Sequence, residues 1–378
     1  MQEFEEKHVN EMLEMLEKLV NTDSGSTDKA GVDRVGEILC QNYEQIGFVP
    51  KVHKSEQYGN SITLRHQDAT NPDILIVAHM DTVFPAGTAS ERPFTIRDGK
   101  AYGPGVIDMQ ASQVMVFYTM KALVEQQISA YKHVEIVLNS DEELGTISSR
   151  SLIEEKAKGK KAALVVEPAR EDGSVVSSRR GSGVYELHIK GRAAHSGMNP
   201  ENGINAIEEL AHKILAFQSL SDPDNGLHVN VGLIEGGTSV NTIAPSAKAS
   251  VDVRISTASQ GKTIDEQIQA IGQQNVLDGI ELTLTGGINR PPMELTDGVQ
   301  KLVDIVQTKA QALGLNVGHT ATGGGSDASF TAAMNVPTID GLGPVGGKQH
   351  SSEEYLIVDS LQERMMLFCN VLQQLSEE

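Results

Sequence analysis

The sequence predicts an α/β fold with a mixed sheet and a second, smaller domain inserted into it. Three observations carry that reading. Short apolar runs at Ile74–Ala78, His133–Leu138 and Ala162–Val166 alternate with helix-period stretches, as strands buried on both faces do. Between residues 183 and 290 the texture becomes βαββαβ, the order of a small ferredoxin-like unit with its helices on one face. At 378 residues the chain is also longer than a single core comfortably supports. The expected division is therefore a larger domain at 1–182 and 291–378, interrupted by an insert at 183–290.

The elements follow in order. Met12, Met15, Leu16, Leu19 and Val20 fall at helical spacing in Glu11–Val20, as do Val32, Val35, Ile38 and Leu39 in Gly31–Ile46. Asn60–Arg65 and Ile74–Ala78 read as strands. The second runs into His79 and Asp81, which leave on the same face because the strand period is 2. Such a pair fits a metal ligand with an orienting partner, and equally a solvated strand end. Thr82–Gly105 is a long Pro- and Gly-containing connection, the position of an active-site rim. Gly103, Pro104 and Gly105 then permit a tight turn before a helix over Met109–Leu123. Asp108, at that junction, fits either an N-cap or a carboxylate bridging two cations.

His133–Leu138 ends in Asn139, Ser140, Asp141, Glu142 and Glu143, adjacent acids that repel unless something positive compensates, and a helix follows at Thr146–Lys156. Ala162–Val166 ends at Glu167, where Pro168 closes the strand. His79, Asp108, Glu142, Glu143 and Glu167 thus all stand at or near strand ends, the crevice where open α/β sheets place their sites. A carboxylate-rich, histidine-containing, cysteine-free cluster suits Zn²⁺, Mn²⁺ or Co²⁺.

The insert has strands at Val184–Lys190, Leu227–Glu235, Ala247–Ile255 and Ile280–Thr285, with helices at Gly203–Phe217 and Thr263–Ile271. Its polar candidates are His195 in the loop Gly191–Gly197, Asn241 in a Gly/Pro-flanked turn, and Arg254 on a strand, whose fork geometry suits an anionic group. The returning segment reads as a helix at Val299–Leu313, then Gly323, Gly324 and Gly325 before Ser326, Asp327 and a helix from about Ala328. Glycines there expose amides as an anion cradle, but the spacing and missing lysine exclude a nucleotide-binding P-loop. Pro337–Asp340 is a short strand leading through Gly341–Gly347 to His350, and Asp359–Ser376 is the last helix.

Composition narrows the function classes. A formal charge of −20, from 31 basic and 51 acidic residues, repels nucleic acid and anionic membranes. Met1–Asn10 lacks an apolar core and no stretch reaches 18 apolar residues, so a cytoplasmic protein is expected. Cys40 and Cys369 fall in helical patterns and read as reduced and packed.

Eight segments together resemble the M20 class of dinuclear zinc peptidases, most nearly its glutamate-carboxypeptidase members. They are HMDTV at 79–83, GPGVID at 103–108, NSDEELG at 139–145, EP at 167–168, GRAAHSG at 191–197, DVR at 252–254, GGGSDA at 323–328 and HSSEEY at 350–355. The resemblance implies two Zn²⁺ per chain, with Co²⁺ or Mn²⁺ as substitutes. His79 and Glu167 would hold one cation, Glu143 and His350 the other, and Asp108 would bridge them. It further implies that Asp81 orients His79, that Glu142 is the general base, and that the Asp108–Met109 peptide is cis. His195 would assist from a neighbouring copy in a homodimer, and the insert would close over the site as a lid. Asn241, Arg254 and the Gly323–Gly325 run would hold the free carboxylate of a small peptide, giving carboxypeptidase action. The alternatives are an N-acyl-amino-acid amidohydrolase (a deacetylase or desuccinylase), a tripeptide aminopeptidase, or a non-catalytic binder of peptides or amino acids. The chain departs from the family at Gln110, Ala111 and Ser112, where members commonly carry a lysine and glycines.

Overall fold

The computed structural model describes the backbone from Gln2 to Glu378, with side chains from His8 onward. The chain forms two compact units. The first comprises the residues up to Ser178, Leu295–Thr322 and Ser326–Glu378; the second comprises Arg179–Glu294 together with Gly323–Gly325. The second unit therefore reaches beyond the 183–290 segment at both ends and takes in the glycine run.

The first unit is built on a six-stranded mixed sheet in the order Phe48–His53, Ser61–His66, Val134–Asn139, Ile74–His79, Ala162–Val165, Thr338–Ile339. Ile74–His79 is buried at all six positions and runs parallel to Val134–Asn139 on one side and Ala162–Val165 on the other. Its two covered faces explain the unbroken apolar run. The helices Gln2–Val20, Lys29–Gln45, Ala111–Glu125 and Val358–Glu377 supply the cover, through Leu16, Leu19, Val35, Leu39, Met115, Met120, Phe368 and Leu372. Cys369 is buried in this core and Cys40 is half-buried, both as free thiols. Among the described residues, no helix is long and apolar enough to cross a membrane.

Three local differences from the sequence reading have physical causes. Phe48–His53 is an additional strand, antiparallel to Ser61–His66, and it tolerates Pro50 because it lies at the sheet edge. The helix expected from Met109 begins instead at Ala111, after a wide turn at Val106–Gln110. Asp108 lies within that turn with φ −114° and ψ 89°, so it is not an N-cap. The helix expected from Thr146 starts at Arg150, because Asp141 accepts from Ser148 N and the Ser149 hydroxyl and holds the intervening residues as turns.

A small antiparallel sheet, in the order Gly346–Gly347, Tyr355–Ile357, Lys100–Tyr102, Thr95–Arg97, also belongs to the first unit. It brings the approach to Asp108 beside the segment that carries His350.

The second unit runs strand, helix, strand, strand, helix, strand: Gly181–Lys190, Ala206–Gln218, His228–Gly236, Ser246–Ile255, Ala258–Gln273 and Glu281–Arg290. The sheet is antiparallel, with the second strand beside the third, then the first, then the fourth. Burial alternates along Gly181–Lys190, since one face meets the helices through Tyr185, Leu187 and Ile189 while the other is open. A buried pair ties the two helices together. Glu209, 3.3 Å from Lys213, accepts from Val276 N and Leu277 N, and Lys213 donates to Ile271 O and Gln274 O at the end of the second helix.

Candidate metal centre

Strand register brings the candidate ligands together. His79 ends the central strand opposite Asn139, three residues before Glu142, while Glu167 lies two residues beyond Val165 on the other neighbour. Three parallel strands therefore present their C-terminal ends at one level, as the sheet-crevice rule expects.

Asp108 and His350 complete the cluster from loops. His79 Nε2 is 3.2 Å from Asp108 Oδ1 and 3.7 Å from Glu167 Oε1. His350 Nε2 is 3.3 Å from Asp108 Oδ2 and 3.2 Å from Glu143 Oε2. The two histidines thus share one aspartate, an oxygen each. Ligand atoms of His79, Glu142 and Glu167 lie within 4.8 Å of one another, as do those of His79, Asp108 and Glu143. The Asp108–Met109 peptide is cis.

The protein holds these groups with named partners. His79 Nδ1 donates to the backbone carbonyl of Asp81 at 2.9 Å, with the Asp81 carboxylate at 3.5 Å. That donation keeps the Nδ1 proton directed at the carbonyl and turns Nε2 toward the acids. The fully buried Asp81 carboxylate accepts from Glu142 N at 3.1 Å and from both Glu143 N at 3.2 Å and the Ser26 hydroxyl at 2.6 Å. Asp81 thereby sets the backbone of the two glutamates as well as backing the histidine.

Electrostatics make the cluster strongly cation-seeking. Burial opposes charge on His79, yet the bonds to Asp108 and Asp81 and the field of Glu167 raise its pKa well above the ordinary value. His350 is pushed up to about 10 by its bonds to Asp108 and Glu143. Burial would raise Asp108, but the bonds from His350 and His79 hold it far below the usual carboxylate range. Glu167 is raised well above that range by burial and by the charge of Asp108. Glu143 Oε1 is buried without a hydrogen-bond partner. Two imidazoles converging on crowded carboxylates, one of them with an unsatisfied buried oxygen, form a donor set that fits a pair of divalent cations.

Sequence reasoning missed Ser26 and Gln113 as supports and marked Gln110 only as a departure from the family. Ser26 lies 55 positions from Asp81. Gln113 Nε2 donates to His79 O at 2.6 Å. Gln110 is buried, with Nε2 3.3 Å from Met80 O and 3.4 Å from the Ser24 hydroxyl, so its amide braces the strand end. Two glutamines at i and i+3 in the first turn after a glycine-containing loop were the available signal.

The remaining candidates lie in the second unit. His195 and Asn241 are exposed on neighbouring loops, joined by a bond from Ser196 N to Asn241 O. Arg254 pairs through Nε and Nη2 with Asp252, at 3.0 and 2.9 Å. Gly323–Gly325 is exposed, with Arg179 Nη1 donating to Gly324 O at 2.9 Å and Gly325 O at 3.3 Å. A Cβ on Gly325 would stand 2.5 Å from Arg290 Cδ, so a side chain there would displace the Arg290 side chain.

Residues 75–374 match the family model described as peptidase family M20/M25/M40. The chain belongs to that family. Carboxypeptidase G2 from Pseudomonas sp. (strain RS-16) is 29% identical over 96% of this chain and 89% of its own length. A succinyl-diaminopimelate desuccinylase from Dechloromonas aromatica is 28% identical over 96% and 98%. Among solved structures, the aminopeptidase PepT from Bacillus cereus superposes with a TM-score of 0.80 at 22% identity, covering 97% of this chain and 99% of that one. That last likeness speaks for the fold. The protein is an M20-type hydrolase with a candidate dinuclear metal centre.

Proposed function

We propose that this M20 hydrolase cleaves the amide of an N-acyl amino acid. Desuccinylases recur among its relatives, from Dechloromonas aromatica and Colwellia psychrerythraea among others, at 27–28% identity over 96–98% of this chain. The observation that carries the hydrolytic chemistry is the sharing of Asp108 between His79 and His350, beside Glu142 and Glu143; the choice of substrate rests on the recurrence of desuccinylases. His79 and Glu167 would hold one Zn²⁺ and Glu143 and His350 the second, with Asp108 between them; Co²⁺ and Mn²⁺ suit the same donors. When bound, such a pair acidifies water and polarises a carbonyl.

The rest falls to the chain's own side chains. Glu142, its backbone fixed by Asp81, takes a proton from the attacking water as the new C–O bond forms. It returns that proton to the amine nitrogen as the C–N bond breaks. Asp81 keeps the His79 tautomer. We assign His195 to stabilising the oxyanion, and Asn241, Arg254 and Gly323–Gly325 to the free carboxylate of the substrate. The inserted segment 183–290, within the second unit, serves as a ferredoxin-like lid and dimerisation domain; the strand order supports the ferredoxin-like part. The protein works as a cytoplasmic homodimer.

A second reading, release of a C-terminal amino acid from a peptide, is favoured by the 29% identity to carboxypeptidase G2. Both readings cut an amide whose nitrogen belongs to an amino acid, and pocket shape divides them. A panel of N-succinyl and N-acetyl amino acids, dipeptides and tripeptides, offered to metal-stripped and reloaded protein, decides. Preferred cleavage of the acyl amino acids supports the amidohydrolase, and preferred release of C-terminal residues supports the carboxypeptidase.

A further inference from the structure

HSSEEY at 350–355 contributes His350 to the cluster, and its second glutamate has a use that the reading above does not assign. Glu354 is 1% exposed, and its carboxyl group meets the main chain of the Asp108 turn. Oε1 accepts from Ile107 N at 3.0 Å and Asp108 N at 3.1 Å, and Oε2 faces Gly105 N at 3.4 Å. The partners are separated by 246 to 249 positions, so the contact joins two distant segments. At Gly105, φ is +69° and a Cβ would lie 2.5 Å from Thr82 Cγ2, so the turn is shaped to bring its amides to one acceptor.

We propose that Glu354 is a positioning residue of the metal centre, tying the turn that carries Asp108 to the loop that carries His350. The inference rests on the two-cation reading above and concerns the cation assigned to Glu143 and His350. His79 is placed independently, by a central strand and by the Asp81 carbonyl. Glu143 is placed by Asp81. His350 has neither support. It lies on a loop with φ +63° and its side chain is 52% exposed. Only three residues separate it from the buried anchor at Glu354, just before the strand Tyr355–Ile357. Freeing that anchor loosens His350 and the Asp108 backbone together, and leaves His79 and Glu167 where they are.

The residue type follows from the acceptor count. Two carboxyl oxygens face three amide donors. Glutamine offers one acceptor oxygen and turns an NH₂ group toward another N–H, and alanine leaves buried amides unpaired. Outer partners of metal ligands characteristically change metal affinity by about 10- to 100-fold.

The test titrates Zn²⁺, and separately Co²⁺ with its absorption spectrum, into metal-stripped full-length protein, E354A and E354Q. The expected result is two cations on the starting protein. E354A should bind one about 10- to 100-fold more weakly and the other, which shares Asp108, with a smaller loss, with E354Q between. The metal concentration for half-maximal hydrolysis should rise by the same factor, while KM under saturating metal stays within about twofold of the starting protein. E354Q keeps the side-chain volume and decides the matter if E354A does not fold. Both cations binding E354Q as tightly as the starting protein overturns the inference while leaving the two-cation reading intact. Fewer than two cations on the starting protein overturns both.

Discussion

The two units treat their polar residues in opposite ways. In the first, the candidate ligands other than the exposed His350 are buried or half-buried, and most are held by a specific partner: His79 by the Asp81 carbonyl, Glu142 and Glu143 by the Asp81 carboxylate, Asp108 by Glu354. In the second, His195 and Asn241 stand exposed on loops, and Arg254 is engaged with a neighbouring acid on its own strand. Buried like charges repel strongly and stay in place only when the surroundings over-determine them, whereas exposed groups are screened and free to adapt. Under the proposed function this difference becomes a division of labour: bond-breaking in the fixed, charge-dense unit and recognition in the adaptable one.

That division can be broken by substitutions on either side. The largest effect is expected at Glu142. E142Q should lower kcat by about 10²- to 10⁴-fold while two cations remain bound, and turnover within tenfold of the starting protein would remove Glu142 as the base. Next is the buried ion pair of the second unit. Losing one partner, as in E209A, should destabilise that unit by about 3–5 kcal/mol, read as an early transition in thermal unfolding, with metal affinity unchanged. Burial works against the Glu209 charge, but the Leu277 and Val276 amides and Lys213 outweigh it and lower the pKa below 4.5. A lowered carboxyl pKa stabilises fully above the unfolded value and is lost as pH falls through the folded one, so the E209A deficit should shrink below about pH 4.5.

A smaller effect belongs to Arg254. R254A should raise KM about 10- to 100-fold for substrates with a free α-carboxylate and leave their α-amides unaffected; equal losses on both would refute the carboxylate assignment. The smallest belongs to Ser26. S26A removes one of the three donors to Asp81 and should cost about fivefold in kcat at constant KM, while a change confined to KM would place Ser26 elsewhere in the chemistry.

Much of this centre was legible in the sequence because its candidate residues end apolar runs. His79, Glu142, Glu143 and Glu167 are conspicuous as polar groups closing buried parallel strands, and the register of those strands brings the ends level. The supports were not legible for the opposite reason. Ser26 and Glu354 meet their partners across 55 and about 246 residues, and neither sits in a periodic pattern that points at a site. The edge strand Phe48–His53 was hidden by Pro50, and Gly346–Gly347 and Tyr355–Ile357 in the small sheet by lengths of two and three residues, too short for periodicity to register. Alternation made the second unit's strands plain, because one open face keeps the period of 2 visible.

The most direct test of the central claim is hydrolysis by metal-stripped protein during stepwise return of Zn²⁺, with N-acyl amino acids as substrates and bound metal counted in parallel. Activity should be absent without metal and reach its full value only as the second equivalent per chain binds. Full activity in stripped protein, or saturation of binding and activity at a single cation, would contradict a centre in which His79 and His350 share Asp108 between two metal ions.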